Sequence, residues 1–229
     1  IKLRQNMNSR LVVMLTLNDV TVKNAIEVFE SCKDLPIDNW GFKNVGISIE
    51  ERIELARLMR EANKNIFLED VLNEEKDLFE MAEFAVNNGV KNICGRFYDS
   101  VNNYISDKNI TYFASSTMSS GSPVMLRGPV NEIINQLKGF EKKGVEGFCI
   151  GAYRHESSPE ELIHGMTKEL KGKILIAGSI NSKERMAYVN EAGCYGFTMG
   201  SAIFNHKYKP NGNFRDNLIE VIKIMDEIN

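Results

Sequence analysis

The chain has 229 residues, of which 43% are hydrophobic and 26% charged, and its formal net charge is −3. This length suits a single α/β barrel domain, and the small negative charge argues against a nucleic-acid-binding or membrane-surface protein. The apolar runs all fall short of the roughly 18 residues that span a bilayer. The four cysteines are widely spaced, so we expect buried, reduced thiols in a cytoplasmic protein. Residues 1–6 precede Met7 and are interpreted as a cloning remnant, which leaves 7–229 for the fold.

Eight short apolar runs predict the strands. Each is too short for a helix and too apolar for an exposed strand, which is typical of strands buried on both faces. They lie at 11–17, 41–45, 65–68, 92–94, 111–114, 147–150, 174–177 and 196–199.

Segments of helical periodicity separate these runs, and several end in a glycine turn such as Asn88-Gly89-Val90. Ser158, ahead of Pro159, and Ser182 are candidate N-caps. Eight successive βα units predict a single-domain (β/α)8 TIM barrel, with an open doubly wound sheet as the alternative. The helical segments lie at 21–32, 50–62, 76–87, 131–142, from 159 onward, 183–192 and 213–228.

Two glycine-serine pairs follow the last two predicted strands, and the active site of such a barrel lies at these strand ends. Gly178-Ser179 follows the seventh strand and Gly200-Ser201 follows the eighth. Glycine allows close approach of the backbone to an anion, and successive N–H groups before a helix donate to it. These four residues are the predicted phosphate site, and two ordinary tight turns are the alternative.

A lysine lies within one predicted strand that is otherwise made of apolar residues and glycines, and a glutamate ends the next. A charge at Lys43 needs a partner or a function, and Glu69 at the end of the next strand is a candidate partner. The pair suits a general acid–base or a Schiff-base former, or else a structural ion pair. Asp70 follows Glu69 and should face the opposite way. The sequence requires no cofactor and has no spacing for a transition-metal site, although Glu69 or Asp70 could hold Mg²⁺ together with substrate oxygens.

Arg96 and Arg154 follow the fourth and sixth strands, where arginine suits binding of a substrate carboxylate or phosphate. Surface salt bridges are the alternative for both. His155 is either an acid–base or a solvated loop residue. The small, polar segment 115–123 is interpreted as a mobile loop over the barrel mouth or as an inert surface loop.

The segments ILIAGSI and GCYGFTMGSAIF resemble the ribulose-phosphate-binding barrels, among them ribulose-phosphate 3-epimerases and tryptophan synthase α subunits. The resemblance implies that the backbone at Gly178, Ser179, Gly200 and Ser201 grips a substrate phosphate. It also suggests a homodimer. The segments LTLNDVTVKNAIEVF, GFKNVGI and NIFLEDV are similar to the opening of the orotidine monophosphate decarboxylase suprafamily, which includes 3-keto-gulonate-6-phosphate decarboxylase and hexulose-6-phosphate synthase.

The chain departs from the pattern of that suprafamily. Asn18, with Asp19 beside it, stands at the aspartate that ends strand one, whereas Lys43 matches the strand-two lysine. Glu69 matches the first aspartate of D-x-K-x-x-D, but Val71 and Glu74 replace its lysine and last aspartate. These differences count against an unmodified decarboxylation mechanism.

We therefore expect an enzyme that acts on a small phosphorylated sugar or sugar acid by lyase or isomerase/epimerase chemistry through an enolate-type intermediate. Lys43 would be the main acid–base or electrophile, Glu69 would orient it, and Asn18 would hold a substrate hydroxyl. A non-catalytic phosphometabolite sensor and a Schiff-base aldolase are the alternatives.

Overall fold

A computed structural model describes residues 9–120, 124–156 and 158–228, so the interpreted remnant at 1–6 lies outside it. Eight parallel strands in this part of the chain close into a barrel, and each pairs with its neighbours in the sequence until β1 meets β8. The strands are β1 Arg10–Met14, β2 Asn39–Lys43, β3 Asn65–Glu69, β4 Asn92–Arg96, β5 Thr111–Ser115, β6 Gly147–Ile150, β7 Lys173–Ile176 and β8 Gly196–Met199.

Helices follow the strands and form the outer layer of a single-domain (β/α)8 barrel. None of the helices that the structure describes is both long and apolar enough to cross a membrane. The helices are α1 Ala25–Cys32, α2 Ile49–Glu61, α3 Glu75–Asn88, α4 Asp99–Ile105, α5 Val130–Lys142, α6 Pro159–Glu169, α7 Lys183–Glu191, α8 Ser201–Phe204 and α9 Phe214–Ile228.

The strands are apolar on both faces because each contributes to two cores. Between strands and helices, Phe29 of α1 packs edge-on against Trp40 of β2, with ring centroids 5.2 Å apart. A smaller core fills the barrel itself and consists of Val12, Met14, Phe67, Cys94, Phe113, Cys149 and Leu175. Alternate residues along each strand therefore point into the barrel, and those at the strand ends reach its mouth.

An asparagine ladder, formed by Asn39, Asn65 and Asn92, lies at the base of the barrel where β2, β3 and β4 begin. Asn65 donates to the Asn39 side-chain oxygen at 2.9 Å, and Asn92 donates to the Asn65 oxygen at 2.9 Å. Asn92 also donates to the Ile66 carbonyl at 3.0 Å. These bonds satisfy polar groups that would otherwise be buried without partners.

The closed barrel confirms the predicted fold over the open sheet, but some boundaries were wrong. The predicted first strand, 11–17, is divided, because Thr16–Leu17 pairs with Val20–Thr21 as a short antiparallel hairpin and α1 begins only at Ala25. Helix α4 was not predicted. Ser182 caps α7 as expected by accepting from the Arg185 N–H, whereas Ser158 makes no side-chain cap bond. All four cysteines are buried, and none of them forms a disulfide.

Candidate active site

A cavity of about 860 Å³ opens at the C-terminal ends of the strands, which is where a barrel of this type holds its active site. Among the described residues, eight titratable side chains line it, namely Asp19, Lys43, Glu69, Asp70, Cys94, Cys149, Arg154 and Lys207. The two thiols lie deep in the barrel, where the hydrogen bond to Cys149 and burial raise the pKa of the Cys94 thiol. Charge at the mouth therefore comes from the carboxylates and the three cations.

The hairpin after β1 carries two of the lining residues, Asn18 and Asp19. They are the central residues of its two-residue turn and have φ of 51° and 63°. Two successive positive φ values are typical of a type I′ turn, and Asn and Asp adopt them more readily than other non-glycine residues. The Asn18 N–H donates to the Ser201 hydroxyl at 3.3 Å, which joins the turn to the start of α8.

Lys43 lies between two carboxylates, which are the partners that a charge in an apolar strand needs. Its Nζ donates to Asp19 Oδ1 at 2.8 Å and lies 3.6 Å from Glu69 Oε2. Glu69 pairs with Lys43 in the β2–β3 register, so both side chains point to the mouth. The lysine side chain is only 7% exposed, against 49% for Asp19 and 22% for Glu69. All three residues line the cavity, and the carboxylates are its more exposed groups.

The electrostatics of this cluster keep both main partners charged. Burial lowers the pKa of Lys43, but Glu69 and Asp19 outweigh it, and the net pKa lies above the ordinary lysine value. Burial raises the pKa of Asp19, but the hydrogen bond and charge of Lys43, with help from Arg154, bring the net pKa below the ordinary aspartate value. At neutral pH the cluster is an ammonium held by carboxylates.

Asp70 is turned away from this cluster, as its place next to Glu69 predicted. Its Oδ1 accepts from the Asn44 side chain at 2.6 Å, and its Oδ2 accepts from the Asn73 N–H at 2.9 Å. Asp70 therefore orders the loop after β3. Within residues 9–120, 124–156 and 158–228, no three His, Cys, Asp or Glu side chains are grouped to hold a metal ion.

The turns after β7 and β8 lie side by side at the mouth, on the other side of β1 from Lys43. Gly178 and Ser179 have φ of 67° and 56°, and the Gly178 N–H donates to Thr198 Oγ1 at 3.2 Å. Gly200 is required for packing, because a Cβ there would lie 2.7 Å from the Thr16 carbonyl oxygen. Ser201 begins α8, so its N–H is among those that lack an acceptor within the helix.

Arg154 connects the two sides of the mouth. It ends a 3-10 turn after β6, and its NH1 lies 3.7 Å from Asp19 Oδ2. Its guanidinium lies over Gly178, where NH2 would be 3.3 Å from a Cβ. The side chain is 30% exposed.

Arg96 lies apart from the other predicted site residues and does not line the cavity. Its NH2 donates to the carbonyls of Thr117 and Ser119, both at 3.2 Å, and so fixes the segment after β5. That segment forms a hairpin of Ser119–Ser120 with Met125–Leu126, and residues 121–123 of the predicted loop lie outside the described residues.

His155 is buried, contrary to the expectation of a solvated loop residue. Its Nδ1 accepts from the Ser158 N–H at 3.0 Å, and its Nε2 lies 2.9 Å from the Gly128 carbonyl. Both ring nitrogens are engaged, so the histidine ties the loop after β6 to the hairpin after β5.

Two residues that line the cavity were missed as candidates. Asp19, rather than Asn18, is the residue against Lys43, and the only signal for it was its position beside Asn18. Lys207 follows α8, is exposed, and lines the cavity near Ser201 and Ala202. Lys207 does not directly follow a strand in the sequence, so the search of strand ends did not select it.

No protein-family model matches the chain, and no curated protein matches it. Solved structures do match. KDPGal aldolase has a TM-score of 0.68 at 15% identity and covers 99% of this chain and 98% of its own. Orotidine 5'-phosphate decarboxylase from Pyrococcus horikoshii has a TM-score of 0.69 at 18% identity, and the match covers 95% of this chain and 98% of that protein. A mutant tryptophan synthase α subunit from Pyrococcus furiosus has a TM-score of 0.70 at 11% identity, and the match covers 96% of this chain and 100% of that protein.

All three similar structures are enzymes, and two are relatives that the sequence motifs indicated. Identities of 11–18% show a common fold and leave the substrate open. The chain therefore shares the (β/α)8 barrel fold of these three structures.

Proposed function

We propose that the protein is an enzyme acting on a small phosphorylated sugar or sugar acid, by lyase or isomerase/epimerase chemistry through an enolate-type intermediate. The observation that carries this proposal is the buried Lys43 ammonium between Asp19 and Glu69, facing the glycine-serine turns across one cavity. Such a cluster stabilises negative charge that develops on a substrate oxygen.

The phosphate would bind at the backbone of Gly178, Ser179, Gly200 and Ser201. This assignment is supported by the positive φ values of Gly178 and Ser179 and by the position of all four residues in the lining of the cavity. Strand β1 separates β2 from β8, so Lys43 and the turn after β8 stand roughly 10 Å apart at the backbone, two strand spacings of about 4.8 Å. A short carbon chain with a terminal phosphate bridges that distance.

In the chemical step, the Lys43 ammonium would donate a hydrogen bond to the substrate carbonyl oxygen and stabilise the enolate formed there. Glu69 and Asp19 would hold the ammonium in place, and Asn18 would bind a substrate hydroxyl. A Schiff-base mechanism needs the neutral amine as nucleophile, which the raised pKa of Lys43 disfavours. Borohydride trapping with a carbonyl substrate tests that alternative.

The substitution Lys43→Met tests the role of the ammonium, because it keeps the side-chain length and removes the charge. We expect turnover to fall by about 10²- to 10⁴-fold with the fold intact by circular dichroism. Lys23→Met, at an exposed lysine before α1, is the matched control and should retain turnover. Full activity of Lys43→Met would overturn the assignment.

A thermal-shift screen of phosphorylated sugars and sugar acids, with each hit followed by NMR, tests the function itself. A ligand at about 100 times its dissociation constant adds about 2.7 kcal/mol, or roughly 5–11 °C for a domain of this size. Consumption of a stabilising ligand would support the enzyme. A ligand that persists unchanged would favour the sensor, a reading that Val71 and Glu74 support because they replace the motif's lysine and last aspartate.

A further inference from the structure

Charge in the cavity is divided between its two sides. The side of β1 to β3 presents the carboxylates of Asp19 and Glu69, with Lys43 as their single cation among the described lining residues, whereas Asp70 also lines the cavity but accepts from Asn44 and Asn73. The side of β6 to β8 contributes Arg154 and Lys207 and, in the part of the chain that the structure describes, no lining carboxylate. The cavity therefore has an anionic end and a cationic end.

At the anionic end, the cation is already neutralised and shielded. Lys43 has carboxylate oxygens at 2.8 Å and 3.6 Å and is 7% exposed, whereas Asp19 is 49% exposed. The carboxylates are therefore the more exposed charged groups at this end of the cavity. These oxygens accept hydrogen bonds and donate none, so they favour hydroxyl groups and repel another carboxylate.

At the cationic end, Lys207 forms no salt bridge within the described residues, and Arg154 has only a long contact of 3.7 Å to Asp19. This end suits one strongly charged anion, which the proposed function identifies as the phosphate.

We infer that the cavity selects phosphorylated sugars whose other end is uncharged and rich in hydroxyl groups, and discriminates against phosphorylated sugar acids. The inference rests on the proposed function, because it takes the turns after β7 and β8 as the phosphate site. It decides between the two substrate classes that the proposed function leaves open.

Glucitol 6-phosphate and 6-phosphogluconate are a matched pair of probes for this inference. Both are six-carbon chains with a phosphate at carbon 6, and they differ only in an alcohol or a carboxylate at carbon 1. We expect calorimetric titration to show at least about tenfold tighter binding of glucitol 6-phosphate, because the carboxylate would lie within a few ångströms of two others.

The substitution Glu69→Gln removes one of these charges without a change in shape. We expect the preference for glucitol 6-phosphate to shrink by about tenfold in this variant, while the affinity for inorganic phosphate stays unchanged. Asp19→Asn, on the partly exposed turn, is a second variant with the same expected direction. Glu83→Gln, on an exposed position of α3, makes the same change of charge outside the cavity and should leave the preference unaltered.

The outcomes separate this inference from the proposed function. Equal or tighter binding of 6-phosphogluconate, or a preference that Glu69→Gln and Asp19→Asn leave unchanged, would overturn the inference and keep the phosphate site. If neither compound nor inorganic phosphate binds the wild-type protein, the phosphate site fails and the inference fails with it.

Discussion

Asn18 and Asp19 occupy one turn but have different surroundings. The similarity to the decarboxylase suprafamily placed Asn18 at the position of a functional aspartate, whereas in the structure Asp19 contacts both Lys43 and Arg154. The Asn18 backbone donates to Ser201, and its side chain lines the cavity. We therefore expect substitutions at the two residues to have different effects on activity.

Asp19→Asn should lower kcat/KM by about 100-fold or more, because the Lys43 ammonium loses its nearest charged partner and its fixed position. Asn18→Gly should have a much smaller effect, since glycine keeps the positive φ of the turn. Steady-state kinetics on a substrate from the screen, with melting temperatures as a folding control, measure both. A larger loss for Asn18→Gly would return the functional role to Asn18.

The pH dependence of the reaction follows from the charge state of Lys43. Its pKa in the folded protein lies above the ordinary value of 10.5, so the ammonium and its ion pairs persist below that pH and are lost as the pH rises through the folded pKa. We therefore expect no basic limb from this residue in the kcat/KM profile up to pH 10. A profile that rises toward high pH would indicate a neutral amine and contradict the electrostatic role.

Protonation of Asp19 breaks the same ion pair at low pH. Its folded pKa lies below the ordinary value of 3.8, so its contribution to stability is present above pH 3.8 and is lost as the pH falls through the folded pKa. Urea unfolding of wild type and Asp19→Asn should therefore differ at pH 6 and converge at the acid end of the titration. A difference that stays constant with pH would show that the charge of Asp19 does not stabilise the fold.

Among the secondary-structure elements, the asparagine ladder shows how the base of the barrel is held together. Asn92→Ala would leave the Asn65 side-chain oxygen and the Ile66 carbonyl without this donor at a buried site. We expect a loss of about 1–3 kcal/mol in the free energy of unfolding by urea. Asn103→Ala, at an exposed position of α4, should change it by less than about 0.5 kcal/mol. Equal effects would mean that the ladder is not a stabilising feature.

The strands could be predicted from sequence because a strand buried on both faces is apolar at every position, and this pattern survives without knowledge of its neighbours. The hairpin after β1 could not, because Asn-Asp lacks the glycine that usually marks a type I′ turn. Helix α4 was missed because its sequence, DSVNNYI, is short and buries only Val101 and Ile105. Local patterns thus predicted the elements and missed the departures from regularity.

The candidate site was predicted in part for a similar reason. Lys43 and Glu69 were recognisable because a charge in an apolar run is unusual, and strand register then brings them together. Arg96 is also a charge next to an apolar run, but it binds loop carbonyls, and no strand pattern specifies such partners. Asp19 and Lys207 lie on connecting segments, where position in space depends on the whole fold.

At the scale of the whole molecule, β1 closes the barrel between β2 and β8, so its hairpin joins the two halves of the cavity. The turn contacts Lys43 through Asp19 and α8 through the Asn18–Ser201 hydrogen bond. A phosphorylated ligand that spans the cavity would contact both ends and the hairpin between them. Ligand binding should therefore stabilise this upper region as a unit.

Hydrogen exchange followed by mass spectrometry measures this coupling. With saturating glucitol 6-phosphate, we expect slower exchange in the hairpin at residues 16–21 and in the turns at 178–180 and 200–203. The base of the barrel, where the asparagine ladder lies, should be unchanged. With inorganic phosphate alone, protection should be confined to the two turns, because that ligand reaches only the cationic end. Protection of the hairpin by phosphate alone, or none with the longer ligand, would contradict a site that spans from β2 to β8 across β1.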